Sequence, residues 1–365
     1  MFEQTEKTVQ VRRLKLMLTG GGTAGHVMPH IAMLPHYHAL GWDVRYIGSA
    51  GIERQLVTQA GLPFFKIAAG KLRRYVSFKN LLDIFNVALG TLQSLVILAR
   101  NRPDVVFSKG GFVSVPVAVA GWLLRIPVIS HESDLTPGLA TKIISRFSRV
   151  ILTSFPESAR YVANAHLVGI PIRDELKTGS REEGLRLCGF AAAADPPVVL
   201  VMGGSQGAQR INDTLHELLP ELVTRFRIIH LTGQGKALPF AHSHYKAFDF
   251  LGSELKHVLA AADVVVSRAG ANSIFELRAL QKPMLLIPLE VGSRGDQVDN
   301  AISFVARQHA LMVRETELTS QILARAIDTL VANADRLRKT LAAAEHDDPA
   351  AAIISMIQNI VPSTP

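Results

Sequence analysis

The chain is predicted to fold as two α/β units, each a parallel sheet wound with helices, and three observations point there. Two glycine-rich turns, Gly20–His26 and Gly203–Ala208, each follow an apolar run and precede a helical pattern, about half the chain apart. Strand-length apolar runs alternate with helix-length amphipathic segments, the pattern of parallel sheets. A length of 365 residues is long for one domain and comfortable for two, and a hydrophobic content of 48% supplies sizeable cores.

In chain order, the first half carries strand-like runs at Leu14–Thr19, Asp43–Ile47, Phe64–Ile67, Val105–Ser108, Val128–Ser130, Val150–Thr153 and Ala165–Val168. Helical patterns at Ala24–Leu40 and Asn80–Arg100 fill two of the gaps. Gly169–Ser180, with Pro171, Gly179 and mixed charges, reads as the linker. The second half has strands at Val198–Met202, Arg227–Leu231, Ala247–Phe250, Val264–Ser267 and Met284–Pro288. Gln321–Ala344 reads as one helix, and the apolar segment Ala350–Val361 is expected to cross back onto the first unit.

A net charge of +8 favours an anionic partner. No nucleic-acid-binding motif or long basic arm is present, so nucleic acid is not the expected one. The single Cys188 excludes an intramolecular disulfide framework and a cysteine zinc cluster and reads as a small core residue. Met1–Arg13 is polar and lacks the apolar run of a secretory signal; it reads as a disordered extension. The longest apolar stretch, Ile84–Ala99, is short for a membrane span and contains Asn86, Gly90 and Gln93. It is expected to be mostly core, with only its first turns free for lipid.

Each glycine turn offers free backbone N–H groups at a helix N-terminus, a phosphate-binding geometry. Gly20 to Gly25 matches G-x-G-x-x-G, but the second strand ends Tyr46-Ile47-Gly48-Ser49 without the ribose-binding acid of a dinucleotide site. A P-loop is excluded because His26, not Lys, follows Gly25. A helix N-terminus should depress the pKa of His26 and keep it a base, unless it merely caps the helix or packs in the core. Ser108–Phe112 forms a third strand-to-helix glycine turn, and His131–Asp134 follows the next strand. Ligands bind outside the carboxyl ends of such strands, so Gly20–His26, Lys109–Phe112 and His131–Asp134 should converge on one crevice. Helix capping by Ser133 or Asp134 is the plain alternative. Glu132 and Asp134 with one nearby histidine make no metal set, and no metal is expected. In the second half, Glu276 suits a ribose diol or the helix dipole, and Asp296 and Gln297 suit sugar hydroxyls.

Together these segments closely resemble the MurG family of peptidoglycan glycosyltransferases. The resemblance is carried in order by Gly20–Pro29, Ser108–Pro116 (SKGGFVSVP), His131–Lys142 (HESDLTPGLATK), Gly169–Arg173 (GIPIR), Met202–Asn212 (MGGSQGAQRIN), Ser267–Glu276 (SRAGANSIFE) and Arg294–Ala301 (RGDQVDNA). It covers nearly the whole chain from about Leu14. It implies a GT-B architecture, two Rossmann-like domains facing a deep cleft. Residues 14–170, joined by a returning helix within 347–365, would bind acceptor and membrane; residues 171–346 would bind the UDP-sugar. The implied reaction moves N-acetylglucosamine from UDP-N-acetylglucosamine to undecaprenyl-pyrophosphoryl-N-acetylmuramyl-pentapeptide. It would be an inverting displacement by the muramyl 4-hydroxyl, without cofactor or metal. The implied location is the cytoplasmic face of the cell membrane, held peripherally, with other cell-wall enzymes as further partners.

By position in those motifs, Gly21, Gly22, Gly110 and Gly111 look like acceptor pyrophosphate residues. Thr23, Gly25, Arg173, Ser205, Glu276, Asp296 and Gln297 look like donor residues: Ser205 at the UDP diphosphate, Glu276 at the ribose, Asp296 and Gln297 at the sugar hydroxyls. The uracil would be read near Phe250–Leu251. Some members have Asn where this chain has Asp134 and Gln where it has Asp296, so each position keeps an acceptor and loses a donor. Met28 and His30 are also atypical. His26 is the preferred base, with Glu132 and Asp134 as rivals. Lys71, Arg73 and Arg74, followed by Leu81 and Phe85, suit an anionic membrane surface; a solvated loop before a core helix is the alternative. Three other functions fit parts of the chain: a sugar-nucleotide epimerase of the same fold, an NAD-dependent oxidoreductase, and a nucleotide-binding protein without turnover.

Overall fold

The structure, a computed structural model, describes residues 13–70, 78–192, 196–204, 207–291, 294–344 and 348–361, with residues 78–82 described by their backbone alone. The first half builds β1 (Lys15–Thr19), α1 (Met28–Ala39), β2 (Asp43–Gly48), α2 (Ile52–Gln59), β3 (Phe64–Lys66), α3 (Phe78–Asn101), β4 (Val105–Ser108), α4 (Ser114–Leu123), β5 (Val128–Glu132), α5 (Leu139–Ile144), β6 (Val150–Thr153) and β7 (Ala165–Leu167). The second half builds α6 (Arg181–Cys188), β8 (Val198–Met202), α7 (Gln209–Leu222), β9 (Arg227–Leu231), β10 (Tyr245–Phe248), α8 (Leu255–Ala261), β11 (Val264–Ser267), α9 (Ala271–Ala279), β12 (Met284–Leu286), α10 (Asp296–Ala306) and β13 (Leu311–Met312). Helices α11 (Ser320–Ala332), α12 (Ala334–Ala343) and α13 (Pro349–Ile360) close the chain.

Both sheets are parallel, and they repeat one winding. The first runs β3-β2-β1-β4-β5-β6-β7 and the second β10-β9-β8-β11-β12-β13. In each, the chain starts at a central strand, moves outward, then returns to the strand's other side. That reversal opens a crevice between β1 and β4, and another between β8 and β11. The registers align the crevice rims: Thr19 pairs with Ser108 and Met202 with Ser267, so paired strands end level. Strands buried on both faces need continuous apolar runs, and Val198–Met202 and Val264–Ser267 are buried at every position.

Several elements depart from the sequence expectation. The expected helix from Ala24 is a 3-10 turn at Ala24–His26 followed by α1, which Pro29 opens. Strand β5 continues through His131 and Glu132, which pair with Leu152 and Thr153. The expected helix Gln321–Ala344 breaks at Asn333 into α11 and α12. The short edge strand β13 has too little pattern to be read from sequence.

Helix α13 does return to the first sheet. Ile353 and Ile357 are fully buried among Leu16, Tyr37, Phe107, Ile129 and Leu152. Asp348 caps it, its carboxylate accepting from the N–H groups of Ala350 and Ala351 at 3.0 Å. The two halves also share an aromatic knuckle: Phe155, after β6, meets Phe275 of α9 and Phe304 of α10 edge-on, with ring centroids 5.3 and 6.0 Å away. If α13 is part of the first unit's core, Ile357→Ala costs about 2–5 kcal/mol. Urea denaturation followed by circular dichroism measures it; a loss below about 1 kcal/mol contradicts this packing.

Candidate active site

The rim between β1 and β4 is made of touching backbone. Gly22, Gly110 and Gly111 have φ of 84°, 79° and 80°, a region that favours glycine. A Cβ on Gly111 would collide with the Gly21 carbonyl oxygen, and one on Gly22 with the Phe112 ring. The turn is held from beneath by Glu53 of α2, which is fully buried. Its carboxylate accepts from the N–H of Ser49 at 3.0 Å and of Gly22 at 3.3 Å, and from the Ser49 hydroxyl. Tyr46 donates its hydroxyl to the Gly20 carbonyl at 2.9 Å. Sequence reasoning missed Glu53. The signal was an acid in the first turn of the helix after the second strand.

His26 lies against this rim. Its Nδ1 is 2.9 Å from the Gly21 carbonyl oxygen and 3.1 Å from Thr23 Oγ1. A carbonyl only accepts, so Nδ1 carries the hydrogen and Nε2 of the neutral ring keeps its lone pair. Its pKa is lowered, as expected, but by another cause: burial comes first, Lys109 and Arg294 add to it, and Asp134 and the Gly21 bond oppose it.

Lys109 and the end of β5 form the floor. Lys109 is 2% exposed, and its Nζ sits 2.8 Å from Nδ1 of the buried His131. The carboxylate oxygens of Glu132 accept from the N–H groups of Asp134 at 3.1 Å and Gly138 at 3.3 Å, so this acid shapes the turn. Helix α5 starts at Gly138 with no side-chain cap, so neither Ser133 nor Asp134 caps it. Asp134 accepts instead from Asn300 of α10 at 3.0 Å, and Arg294 stands 3.9 Å away. Burial and the neighbouring Glu132 push the Asp134 carboxyl up to about 6.

Across the cleft, Gly204 and Gly207 have φ of 83° and 69°. A Cβ on Gly203 would strike the Ala208 nitrogen. Ser205 lies outside the described residues. Glu276 of α9 is 3.5 Å from Arg173, which opposes the rise in its pKa caused by burial. Asp296 opens α10 after Gly295 and accepts from the Arg294 N–H at 3.2 Å. Gln297 Oε1 accepts from the Leu289 N–H at 3.0 Å. Phe250 is 71% exposed in the loop after β10.

The two faces meet directly. Asn272, at the start of α9, donates to the Gly25 carbonyl at 3.0 Å. Asn300 accepts from the Leu135 N–H at 3.0 Å while donating to Asp134, and Thr136 donates to Asp299 at 2.7 Å. Thr23, Gly25, His26, Glu132, Asp134 and the glycines Gly21, Gly22, Gly110 and Gly111 thus form one wall; Arg173, Glu276, Asp296 and Gln297 belong to the facing side. Asn300 was missed as a seam residue, although it lies inside a quoted motif. Arg268 was missed too: it is buried, ion-paired with Glu315, and donates to the Ile287 carbonyl at 3.1 Å, bracing the loop after β12.

Helix α3 overturns one expectation. Most of Ile84–Ala99 was expected in the core, yet Ile84, Phe85, Leu89, Leu92 and Val96 are 57, 67, 37, 62 and 50% exposed. The stretch Asp83–Asn101 is long and apolar enough to cross a membrane by length and composition. It nevertheless packs on the first unit along its other side. Gly90 abuts the Ala68 carbonyl and Pro116, Gln93 accepts from the Ala68 N–H at 2.6 Å, and Ser94 and Leu98 are buried. Trp122 and Leu123 at the end of α4 are exposed as well. Lys71, Arg73 and Arg74 lie outside the described residues, as does the side chain of Leu81.

Comparison with known proteins agrees along the chain. The glycosyltransferase family 28 N-terminal domain matches residues 16–153, and the family's C-terminal domain matches residues 198–355. A UDP-N-acetylglucosamine–N-acetylmuramyl-(pentapeptide) pyrophosphoryl-undecaprenol N-acetylglucosamine transferase of Geobacillus kaustophilus is 48% identical over 354 residues, covering 95% of this chain and 99% of the relative. A Bacillus cereus protein of the same name, numbered 2, is 45% identical over 333 residues, covering 90% and 94%. Among solved structures, Acinetobacter baumannii MurG superposes with a TM-score of 0.74 at 21% identity, covering 95% of this chain and 99% of that one. The glycosyltransferase of kitacinnamycin gives 0.72 at 18% identity, covering 96% and 100%.

Glu53 supports the rim from a buried position, so Glu53→Ala leaves donors in the turn without partners. The expected cost is about 1–3 kcal/mol per stranded group, read by thermal unfolding. Faster amide hydrogen exchange at Gly22 and Ser49 should accompany it. Unchanged stability and exchange would show that the turn does not need this carboxylate.

Proposed function

The chain belongs to glycosyltransferase family 28, and from that premise we infer that it carries out the reaction for which its close relatives are named. It is a glycosyltransferase of peptidoglycan synthesis, moving N-acetylglucosamine from UDP-N-acetylglucosamine to the 4-hydroxyl of the lipid-linked muramyl sugar, with inversion. The observation that carries the reading is the pair of glycine-rimmed crevices, set face to face and bonded from Asn272 to Gly25.

The chemistry needs a base for the acceptor hydroxyl and a seat for the departing diphosphate. In this reading, the muramyl oxygen attacks the anomeric carbon as its bond to the UDP oxygen breaks. The hydroxyl proton passes to Nε2 of His26, whose other nitrogen is fixed by the Gly21 carbonyl. The electron pair leaves with UDP, received by the backbone N–H groups of the Gly203–Gly207 turn and Ser205. Glu276 holds the ribose, Arg173 favours the charged form of that carboxylate against the effect of burial, and Asp296 and Gln297 hold the sugar hydroxyls. Thr23 and Gly25 close over the donor, while Gly21, Gly22, Gly110 and Gly111 hold the acceptor diphosphate. Glu132 is a weaker rival base because its oxygens hold the Asp134 and Gly138 N–H groups. Asp134 is the stronger rival.

Transfer of labelled sugar to a short-chain analogue of the lipid-linked muramyl-pentapeptide, with and without EDTA, tests the reaction. Equal product in both supports the transferase and its metal independence. No product with UDP-N-acetylglucosamine still bound would leave an epimerase or a binder. His26→Ala should lower turnover on the order of 10²–10⁴-fold with donor affinity unchanged, and the wild-type acid limb should fall below pH 6.5, because burial lowers the imidazole pKa. Near-normal turnover would remove His26 as the base.

A lipid-linked acceptor requires a membrane face. The outer side of α3 supplies apolar contact, and Lys71, Arg73 and Arg74 precede it in sequence. This supports peripheral attachment to a membrane, which we assign to the cytoplasmic side. Each cation near an anionic surface contributes about 1 kcal/mol. Reversing all three to Glu should weaken binding to phosphatidylglycerol vesicles by more than about 100-fold, the loss expected from neutralising them alone, and Phe85→Asp with Leu92→Asp should weaken it further. Vesicle binding that survives both sets would rule this face out.

A further inference from the structure

Lys109 is a buried amine whose hydrogen bond goes to an imidazole, and the mechanism above does not use it. The one hydrogen of the Ser154 hydroxyl goes to the Glu132 carbonyl, so Nε2 of His131 carries the hydrogen that Ser154 accepts, and Nδ1 accepts from Lys109. That Nε2 donates to Ser154 Oγ at 3.1 Å, and the Ser154 hydroxyl donates to the Glu132 carbonyl at 3.0 Å. The chain of bonds uses His131 as a neutral ring and gives Lys109 no counter-charge. Glu132 and Asp134 act on it only at longer range. A buried charge without a partner is costly, so its position is informative. Lys109 directly precedes Gly110 and Gly111. Its N–H donates to the Thr19 carbonyl at 2.9 Å, and its Cβ lies beside Gly20. The side chain therefore leaves the backbone under the rim formed by both glycine turns, and its Nζ reaches His131 on the neighbouring strand.

We propose that Lys109 is the built-in counter-charge of the acceptor's diphosphate, and that capture of the acceptor takes up a proton at Lys109. The proposal rests on the reading that the first rim holds that diphosphate. In the free protein, burial lowers the Lys109 pKa to about 7; a dianionic group above it raises the pKa again. Affinity is then greatest below about pH 7 and falls as pH rises through the interval between the free and bound pKa values. Five other titratable groups surround it: His26 from the 3-10 turn, His30 from α1, His131 and Glu132 from β5, and Asp134 beyond. Burial holds His30 at about 3 and His131 well below its ordinary value, so both stay neutral over this range.

The test is calorimetry of the short-chain acceptor analogue near pH 7.5, in two buffers of different ionisation enthalpy, beside steady-state kinetics. Wild type should take up a substantial fraction of one proton with the acceptor and none with UDP-N-acetylglucosamine. Lys109→Met should abolish the uptake and raise the acceptor KM at least about 30-fold, with the donor KM unchanged. Lys109→Arg, always charged, should bind the acceptor without uptake. Wild type binding the acceptor with no proton uptake overturns the proposal, whatever the folding of the variants. So does Lys109→Met with a normal acceptor KM, or a loss confined to the donor. If wild type neither binds nor glycosylates the analogue, the reading of the rim fails, and this inference fails with it.

Discussion

The approach of two peptide backbones, Gly21 to Gly111, is the constraint on which the first unit's site depends. Two turns can touch in this way only if their strands are neighbours that end level, as β1 and β4 do. A Cβ on Gly111 would strike the Gly21 carbonyl, and one on Gly21 would strike Glu53 and Val113, which restricts both positions to glycine. Once the turns meet, the Gly21 carbonyl has little freedom, and it is this oxygen that orients His26. Glu53 below and Tyr46 beside the rim complete the support. The glycine rim, the seat of His26 and the buried Lys109 thus share one origin in the winding of the sheet.

The relation between the halves has a different basis. It combines an apolar knuckle around Phe155, Phe275 and Phe304 with a small number of polar bonds along the cleft. Each such bond is worth about 0.5–1.5 kcal/mol net, so the cleft bonds exchange readily with water or ligand. The knuckle buries aromatic surface and carries no polar group that a substrate could replace. The cleft rim is therefore the exchangeable part of the interface, and the knuckle the lasting one.

Much of this was legible in the sequence, because parallel strands and glycine turns are local patterns. The strand runs, both glycine turns and the apolar pattern of Ala350–Val361 can be read from neighbouring residues, while the return of that segment to the first unit goes with the family resemblance. The family resemblance follows from seven ordered motifs. What escaped has a partner far along the chain: Asn300 meets Asp134 across 166 positions, and Glu53 meets Gly22 across 31. No local pattern marks such pairs. Helix α3 escaped for another reason. Its outer face is as apolar as its inner one, and periodicity cannot say which side faces solvent. The break at Asn333 is marked only by one weak helix former between two good helical stretches.

The return of α13 also has a bearing on synthesis. The core of the first sheet contains Ile353 and Ile357, which leave the ribosome long after β7. At about 5–20 residues per second, the interval from residue 168 to residue 353 is roughly 10–40 s. During it the nascent first unit exposes the apolar groove that α13 will fill, while the second sheet is completed downstream. The order of translation is thus the reverse of the order of completion, and the first half to emerge is the last to close.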